Sequence, residues 1–415
     1  MQNTRKNILY ISYDGMTDQL GQSQVIPYLK ALTKKGSYNF VLVSCEKKKY
    51  FIQNRKIVED LLKDFPITWQ PQIYHKFPPV LSSVFDLWNI YRNAKKLHAK
   101  YDFKLVHCRS YISSLVGLAF KKKYNIPFIF DMRGFWADER VDGNLWDIKK
   151  PVYKFVYTFF KKKELEFLNN SYKTISLTKA GKKEILKWGN LKIKEEDIAV
   201  IPCCVDLEHF SEKNVNQTFV DAFKKKENIS SENFILTYLG TIGTWYMLPE
   251  MLRFFFLLQE QNKSAKFLFI SPEESHEYIR SEANKNGIQN NQLILFHAKR
   301  KEVPSLISLS NYSIYFIKPA YSKTSSSPTK QAELMAMGVP SITNKYIGDT
   351  EAILTSTNAG IIVEDFTDQS YQEVILKIVN KTYTFNSSEI KKGALDYYSL
   401  ELGAEKYFKI YSSII

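Results

Sequence analysis

Cysteine is scarce: four residues in 415, Cys45, Cys108, Cys203 and Cys204. No Cys-x-x-Cys occurs among them, which excludes a thioredoxin-like redox pair and a zinc ribbon, and buried reduced thiols are expected. Long apolar runs are missing too. None approaches the about 18 residues of a membrane span, and Asn7 to Ser12 is too short, and too soon followed by Asp14, to serve as a secretion signal. A cytoplasmic location is therefore expected. Asp-x-Asp is absent and the six histidines stand without ligand spacing, so neither a metal nor another cofactor is expected. Low-complexity tracts and internal repeats are absent as well, and 44% hydrophobic with 24% charged residues is the composition of a globular chain.

What the chain has in excess is positive charge. The net value is +15, and the lysines cluster at 47–49, 121–123, 161–163 and 182–183, all in the first half, with 224–226 as the main exception. Such a field favours a polyanion, either nucleic acid or an anionic membrane surface. Each run taken singly also fits a solvated helix end. Two stretches, Ser83 to Tyr91 and Pro151 to Phe167, are amphipathic, and their apolar faces suit either a membrane surface or a core.

A chain of this length is too long for one core, and two domains of about 200 residues are the natural division. Short apolar runs at Asn7–Ser12, Asn39–Ser44, Ile67–Tyr74, Leu105–Cys108, Pro127–Asp131, Lys173–Leu177 and Ile198–Ile201 alternate with helical patterns, one over Gln22–Lys35 and another over Leu81–Tyr101. The alternation restarts with Phe234–Gly243, then Lys266–Ile270, Gln292–Phe296, Tyr312–Ile317, Val339–Thr343 and Ile361–Val363. Strand and helix in turn predict an α/β fold with two doubly wound, Rossmann-like parallel sheets. The expected domains are 1–205 and 206–397.

In such sheets ligands sit outside the carboxyl ends of the strands. At those ends in the first half lie the loop Asp14-Gly15 to Gly21-Gln22, with glycines suited to close approach, His107, and the cluster Asp131 to Arg140, which holds Arg133, Asp138 and Glu139. In the second half the corresponding loop carries Gly240, Thr241, Gly243 and Thr244, and His297 ends a later strand.

The most informative stretch is Ser325 to Glu351. Ser327 is a good N-cap, Pro328 suits the first helical position, and an Ala/Leu/Met-rich run ends at Gly338, a natural C′ residue. A helix N-terminus at the carboxyl edge of a sheet holds phosphate through free N–H groups and its dipole. Lys330 lies in that first turn and Glu333 three residues on, on the same face, placed to bind vicinal hydroxyls while Ser325, Ser326, Ser327, Pro328, Thr329 and Lys330 surround a diphosphate.

The run Glu333-Leu-Met-Ala-Met-Gly-Val-Pro340 resembles the nucleotide-binding signature of retaining GT-B glycosyltransferases of the family 4 type, among bacterial cell-surface polysaccharide enzymes. In that family a first Glu stands eight positions earlier; here Ser325 occupies its place. Val200-Ile-Pro-Cys-Cys-Val-Asp206 resembles the family's domain-junction element, with two Cys for Asn-Gly. Arg133-Gly134 stands where many relatives have His-Gly. The resemblance implies two domains facing a cleft, a final helix at about 398–415 returning to the first domain, and sugar transfer from a nucleoside-diphosphate sugar to a glycan or lipid-linked oligosaccharide, with retention. It also implies a cation pair after Gly240 that this chain lacks. Lys330, Lys323, Lys318 and Arg133 are the candidates to meet the leaving-group charge, with Arg133, Lys330 and Glu333 as the catalytic set. A sugar-nucleotide 2-epimerase of the same architecture and a basic nucleic-acid-binding protein are the rival readings. Donor consumption without an acceptor would mark the first, and steeply salt-dependent polynucleotide binding the second.

Overall fold

The computed structural model describes residues 5–415. The described residues divide into two compact units, one formed by residues 5–204, Tyr321–Ser326 and Leu400–Ile415, the other by Val205–Ala320 and Ser327–Ser399. Each is built on a single, all-parallel sheet.

The first unit has seven strands, β1 (Lys6–Ser12), β2 (Tyr38–Glu46), β3 (Ile67–Ile73), β4 (Leu105–Arg109), β5 (Phe128–Asp131), β6 (Lys173–Ser176) and β7 (Ile198–Val200), in the order β3-β2-β1-β4-β5-β6-β7. Both faces are covered, which is why these strands read as continuous apolar runs. Successive side chains of a strand point to opposite faces. Leu9, Ile11, Val41 and Val43 join one core with residues of the helices Leu81–Tyr101, Ser110–Tyr124 and Pro151–Asn170. Ile8, Tyr10, Phe40 and Leu42 join the other, with the helices Ile26–Lys35 and Leu400–Ser412. A fully buried side chain of this size contributes about 1.5–3 kcal/mol, so the two layers hold the sheet from both sides.

The helix expected over Gln22–Lys35 is instead two, Gln19–Gln24 and Ile26–Lys35. Pro27 explains the break, because it has no N–H to donate and fits only the first turn of a new helix. The helix Leu81–Tyr101 runs as the periodicity predicts. Lys121, Lys122 and Lys123 close the last turn of their helix, as do Lys182 with Lys183 and Lys224 to Lys226. Those lysines therefore sit where the helix dipole favours cations.

The second unit has six strands, β8 (Ile235–Leu239), β9 (Lys266–Ile270), β10 (Leu293–Phe296), β11 (Tyr312–Tyr315), β12 (Ser341–Asn344) and β13 (Gly360–Val363), in the order β10-β9-β8-β11-β12-β13. Its core contains Phe254, Phe255 and Leu258 of the helix Leu248–Gln261 together with Phe267, Phe269, Ile314 and Ile342 of the sheet. The strand read at Val339–Thr343 starts two residues later, because Gly338 to Pro340 serve as the helix stop: Gly338 has φ +73°, and the N–H groups of Gly338 and Val339 bond to the carbonyls of Met335 and Leu334 at 2.9 and 3.0 Å.

Candidate functional site

In the second unit the strand order reverses between β8 and β11, the place beyond the carboxyl ends of the strands where ligands of such sheets bind. The loop after β8 begins at Gly240, with φ +114°. A Cβ there would stand 3.3 Å from Nζ of Lys330, so glycine is required both by the backbone and by the lysine beside it. Thr241, Gly243 and Thr244 are exposed along the same loop. Lys318, after β11, is exposed, and its backbone N–H donates to the Trp245 carbonyl at 2.9 Å, tying the two loops together.

Lys330 comes from the helix Thr329–Ala336. The expected N-cap, Ser327, is one residue too early: Pro328 takes the cap position with φ −67° and ψ 117°. Proline brings no hydrogen-bonding side chain to the cap position. The helix is anchored from beneath by Gln331, whose Oε1 accepts from Tyr315 Oη at 3.2 Å and Thr350 Oγ1 at 2.8 Å. Asn344 at the end of β12 does similar work for the loop after β11, accepting from the Ile317 N–H at 2.8 Å and donating to its carbonyl at 3.0 Å.

The Lys330 side chain is buried, and Nζ has no hydrogen-bond partner among the described residues. It stands 4.0 Å from the ring centre of Tyr238 and 3.6 Å from that of Tyr246. Ring faces attract a cation but accept none of its three hydrogen bonds. Burial pushes the Lys330 ammonium well below the ordinary lysine range, against the opposing pull of Glu333. Glu333 is half-buried, and burial raises its carboxyl to about 7 despite Arg300 and Lys330 nearby. Arg300 opens the turn Arg300–Glu302 after β10, and His297 is exposed at the end of that strand. The result is an ammonium held by rings alone, with all three of its N–H donors unfilled, beside a carboxyl that burial raises to about 7. An anion at that ammonium would satisfy it.

In the first unit the reversal falls between β1 and β4. Asp14 lies just beyond β1 with its side chain 46% exposed, and Arg109 Nε at the end of β4 is 3.3 Å from its Oδ2. Beneath them Asp131, buried, is approached by His107 Nε2 at 3.5 Å, Arg133 Nη1 at 3.9 Å and Arg109 Nη1 at 4.0 Å. Tyr407 Oη donates to it at 3.2 Å. Burial opposes its ionisation, but Arg133, His107 and Arg109 together hold the carboxyl below its usual value. His107 is itself buried, paired through Nδ1 with Tyr411 Oη at 2.6 Å, and burial keeps its pKa low although Asp131 pulls the other way. Arg133 has φ +58°, an uncommon value for a side-chain-bearing residue, and Nη2 donates to Cys203 Sγ at 3.1 Å.

Several expected ligand contacts are occupied by protein. Gly15 and Gly21 are needed for packing: a Cβ on Gly15 would lie 2.7 Å from Glu46 Oε2, and one on Gly21 2.3 Å from the Gly15 carbonyl. Buried Glu46 holds this loop, accepting from the N–H groups of Met16 and Thr17 at 2.8 and 3.0 Å. Gln22 donates to the Thr17 carbonyl at 3.4 Å. Asp138 accepts from Tyr157 Oη and Lys161 Nζ, both at 2.9 Å. Glu139 is paired with Lys323 at 2.7 Å. Ser325 accepts from the Phe135 N–H at 2.9 Å and donates to the Ser322 carbonyl at 3.0 Å. It and Ser326 go with the first unit, Ser327 with the second.

Tyr238 and Tyr246 were missed by sequence reasoning: Tyr238 stands in a buried strand and looks like core, and Tyr246 lies in a loop read only for the cations it lacks. Arg109 was missed as the last residue of a strand read one position short.

Residues 29–209 match the model of Glycosyltransferase Family 4, and residues 219–392 match that of Glycosyl transferases group 1. Among solved structures the fold is similar to sucrose-phosphate synthase from Thermosynechococcus elongatus, at 14% identity over 99% of both chains with a TM-score of 0.73. It is similar to a glycosyltransferase from Rickettsia africae, at 17% identity over 99% of this chain and 98% of that one with a TM-score of 0.71. HepE from Anabaena, solved with UDP and glucose, matches at 12% identity over 99% of this chain and all of that one, with a TM-score of 0.68. No sequence match was found among curated proteins. The fold is thus GT-B, two Rossmann-like parallel-sheet domains, and the protein class is that of the glycosyltransferases. The chain belongs to the GT-B glycosyltransferases of the family 4 type.

Proposed function

We propose that this glycosyltransferase moves a hexosyl group from a nucleoside-diphosphate sugar to a hydroxyl of a glycan or lipid-linked oligosaccharide, in the biosynthesis of a polysaccharide. The observation that carries the reading is the buried Lys330 ammonium, which lacks a hydrogen-bond partner among the described residues and stands in the first turn of a helix whose N-cap is Pro328. A diphosphate supplies what that arrangement lacks. The bond between the anomeric carbon and the diphosphate oxygen breaks while the acceptor oxygen attacks from the same face, retaining configuration. Negative charge then grows on the leaving diphosphate, where Lys330 and the first-turn N–H groups stabilise it. Glu333 as a carboxylate accepts from the ribose hydroxyls. HepE, solved with UDP and glucose, supports a nucleotide sugar as donor.

No metal ion or other cofactor takes part in this proposal; no group of three or more His, Cys, Asp or Glu side chains suited to a metal occurs among the described residues. The protein works in the cytoplasm, peripherally on an anionic membrane surface. The net charge of +15 supports that location, and no helix among the described residues is long and apolar enough to cross the membrane.

Glu333→Ala is expected to weaken donor binding by roughly 1.5–3 kcal/mol, the range for hydrogen bonds to a charged group, without unfolding the protein. Unchanged affinity of the folded variant in a calorimetric titration would refute the assignment. Thermal stabilisation by a panel of UDP-, GDP- and dTDP-sugars identifies the donor used for that titration.

A further inference from the structure

Nζ of Lys330 is walled in by its own unit, and the atom is shut off from water. The rings of Tyr238 and Tyr246 stand 4.0 and 3.6 Å from it, and the Gly240 backbone lies so close that a Cβ there would be 3.3 Å away. A phosphate oxygen bonded to the ammonium would lie at about 2.8 Å, so one wall must yield before a diphosphate reaches it.

Two of the walls are fixed. Tyr238 belongs to β8, is fully buried with its ring centre 5.6 Å from that of Phe269, and donates from Oη to the Thr241 carbonyl at 2.7 Å. The Gly240 N–H is tied to the Ile270 carbonyl of β9 at 2.9 Å. Tyr246 is different, because its ring is half-buried while its backbone is held on both sides. The Met247 N–H donates to the Phe316 carbonyl at 3.0 Å, and the Trp245 carbonyl accepts from Lys318. The side chain can therefore turn to another staggered rotamer while the loop stays in place. Room lies beside it: Thr241, Gly243 and Thr244 are exposed, and a Cβ on Gly243 would meet nothing within 4 Å. A ring face attracts the ammonium but leaves its N–H groups unused, whereas phosphate oxygens bear the opposite charge and accept them, so the exchange of ring for phosphate is favourable.

We propose that Tyr246 gates the donor site: in the free protein its ring holds the place of the diphosphate on Lys330, and the arriving diphosphate displaces it. The proposal rests on the nucleotide-sugar reading and adds to it how access to Lys330 is controlled. The closed form lowers donor affinity by the fraction of molecules whose ring is turned away, and it keeps the ammonium from other anions until a diphosphate competes for it.

The test uses the full-length protein, acetic anhydride as the amine reagent, peptide mass mapping as the readout and UDP as the diphosphate. In the natural chain Lys330 is expected to acetylate far more slowly than exposed Lys318. Tyr246→Ala is expected to speed acetylation of Lys330 and to tighten UDP binding, each by about 2- to 30-fold, the worth of one cation–ring contact. Tyr246→Phe keeps the ring and is expected to keep the natural values. In the natural chain itself, UDP is expected to raise nitration of Tyr246 by tetranitromethane while Tyr238 stays protected. Unchanged acetylation of Lys330 in Tyr246→Ala, weaker UDP binding by that variant, or bound UDP that leaves Tyr246 no more open to nitration would each overturn the proposal. Failure of the donor reading looks different: Lys330 acetylates faster in Tyr246→Ala, but UDP binds neither chain or leaves that acetylation unslowed, which strikes the donor reading and this proposal with it.

Discussion

The role proposed for Glu333 predicts a donor affinity that depends on pH in a range where carboxylates ordinarily do not titrate. Burial raises its carboxyl to about 7 in the free protein. If ribose binding requires the carboxylate, the competent fraction at pH 8 is about nine-tenths and at pH 6 about one-tenth, so affinity falls about tenfold across that interval. Lys330 must carry its proton, and burial lowers its pKa well below the usual range, so affinity falls again on the alkaline side as that proton is lost. The same shift acts on stability with a definite sign. A carboxyl whose folded pKa is raised binds more protons folded than unfolded between about 4.5 and 7, so stability of the ligand-free protein declines as pH rises through that window, by at most about 3 kcal/mol. Calorimetric titration with a sugar nucleotide, whose diphosphate has no free terminal phosphate ionising near neutrality, reads the binding profile directly. Glu333→Gln is expected to abolish the acid limb and keep the alkaline one. A flat profile in the natural protein, or the same acid limb in Glu333→Gln, would refute the argument.

Lys330→Met removes a buried cation that has no hydrogen-bond partner among the described residues; it is expected to stabilise the ligand-free protein by ~1–3 kcal/mol while lowering kcat more than it raises the donor KM, read by denaturant unfolding and steady-state kinetics. A less stable variant, or one with full kcat, contradicts this. Gly240→Ala places a side chain at φ +114° and 3.3 Å from Nζ, and is expected to cost ~1–3 kcal/mol in unfolding experiments and to weaken donor binding. Glu46→Gln puts an NH₂ where a buried carboxylate oxygen accepts hydrogen bonds, and is expected to cost ~1.5–3 kcal/mol, with faster hydrogen exchange at Met16 and Thr17.

The strands were legible in the sequence because a sheet buried on both faces forces continuous apolar runs, and Leu9 or Phe269 can be recognised from neighbours alone. The helix carrying Lys330 and Glu333 was legible from its own stop at Gly338. What could not be read was competition for polar groups between segments far apart in the chain. Asp138 and Glu139 look like ligand-binding acids until Lys161 and Lys323 reach them. Ser325 looks like part of a phosphate loop until the Phe135 N–H is found on it. The ring slot around Lys330 is of the same kind, since Tyr238 and Tyr246 lie about ninety positions before the lysine and meet it only once β8 and the helix are in place.

The last helix has a consequence for anyone who would cut or recombine this enzyme. Leu400–Ile415 belongs to the first unit, and Tyr407, Ile410 and Tyr411 are part of its core. Gly403 marks how tightly the helix is seated, since a Cβ there would lie 2.8 Å from Cys204 Sγ and 2.9 Å from the Tyr28 ring. A fragment ending at Cys204 would lose the hydroxyls that His107 and Asp131 use, and would expose one side of its sheet to water. A chimera that exchanges the second unit must therefore keep the host's own tail; a single crossover near residue 205 would pair the first unit's sheet with a foreign C-terminal helix.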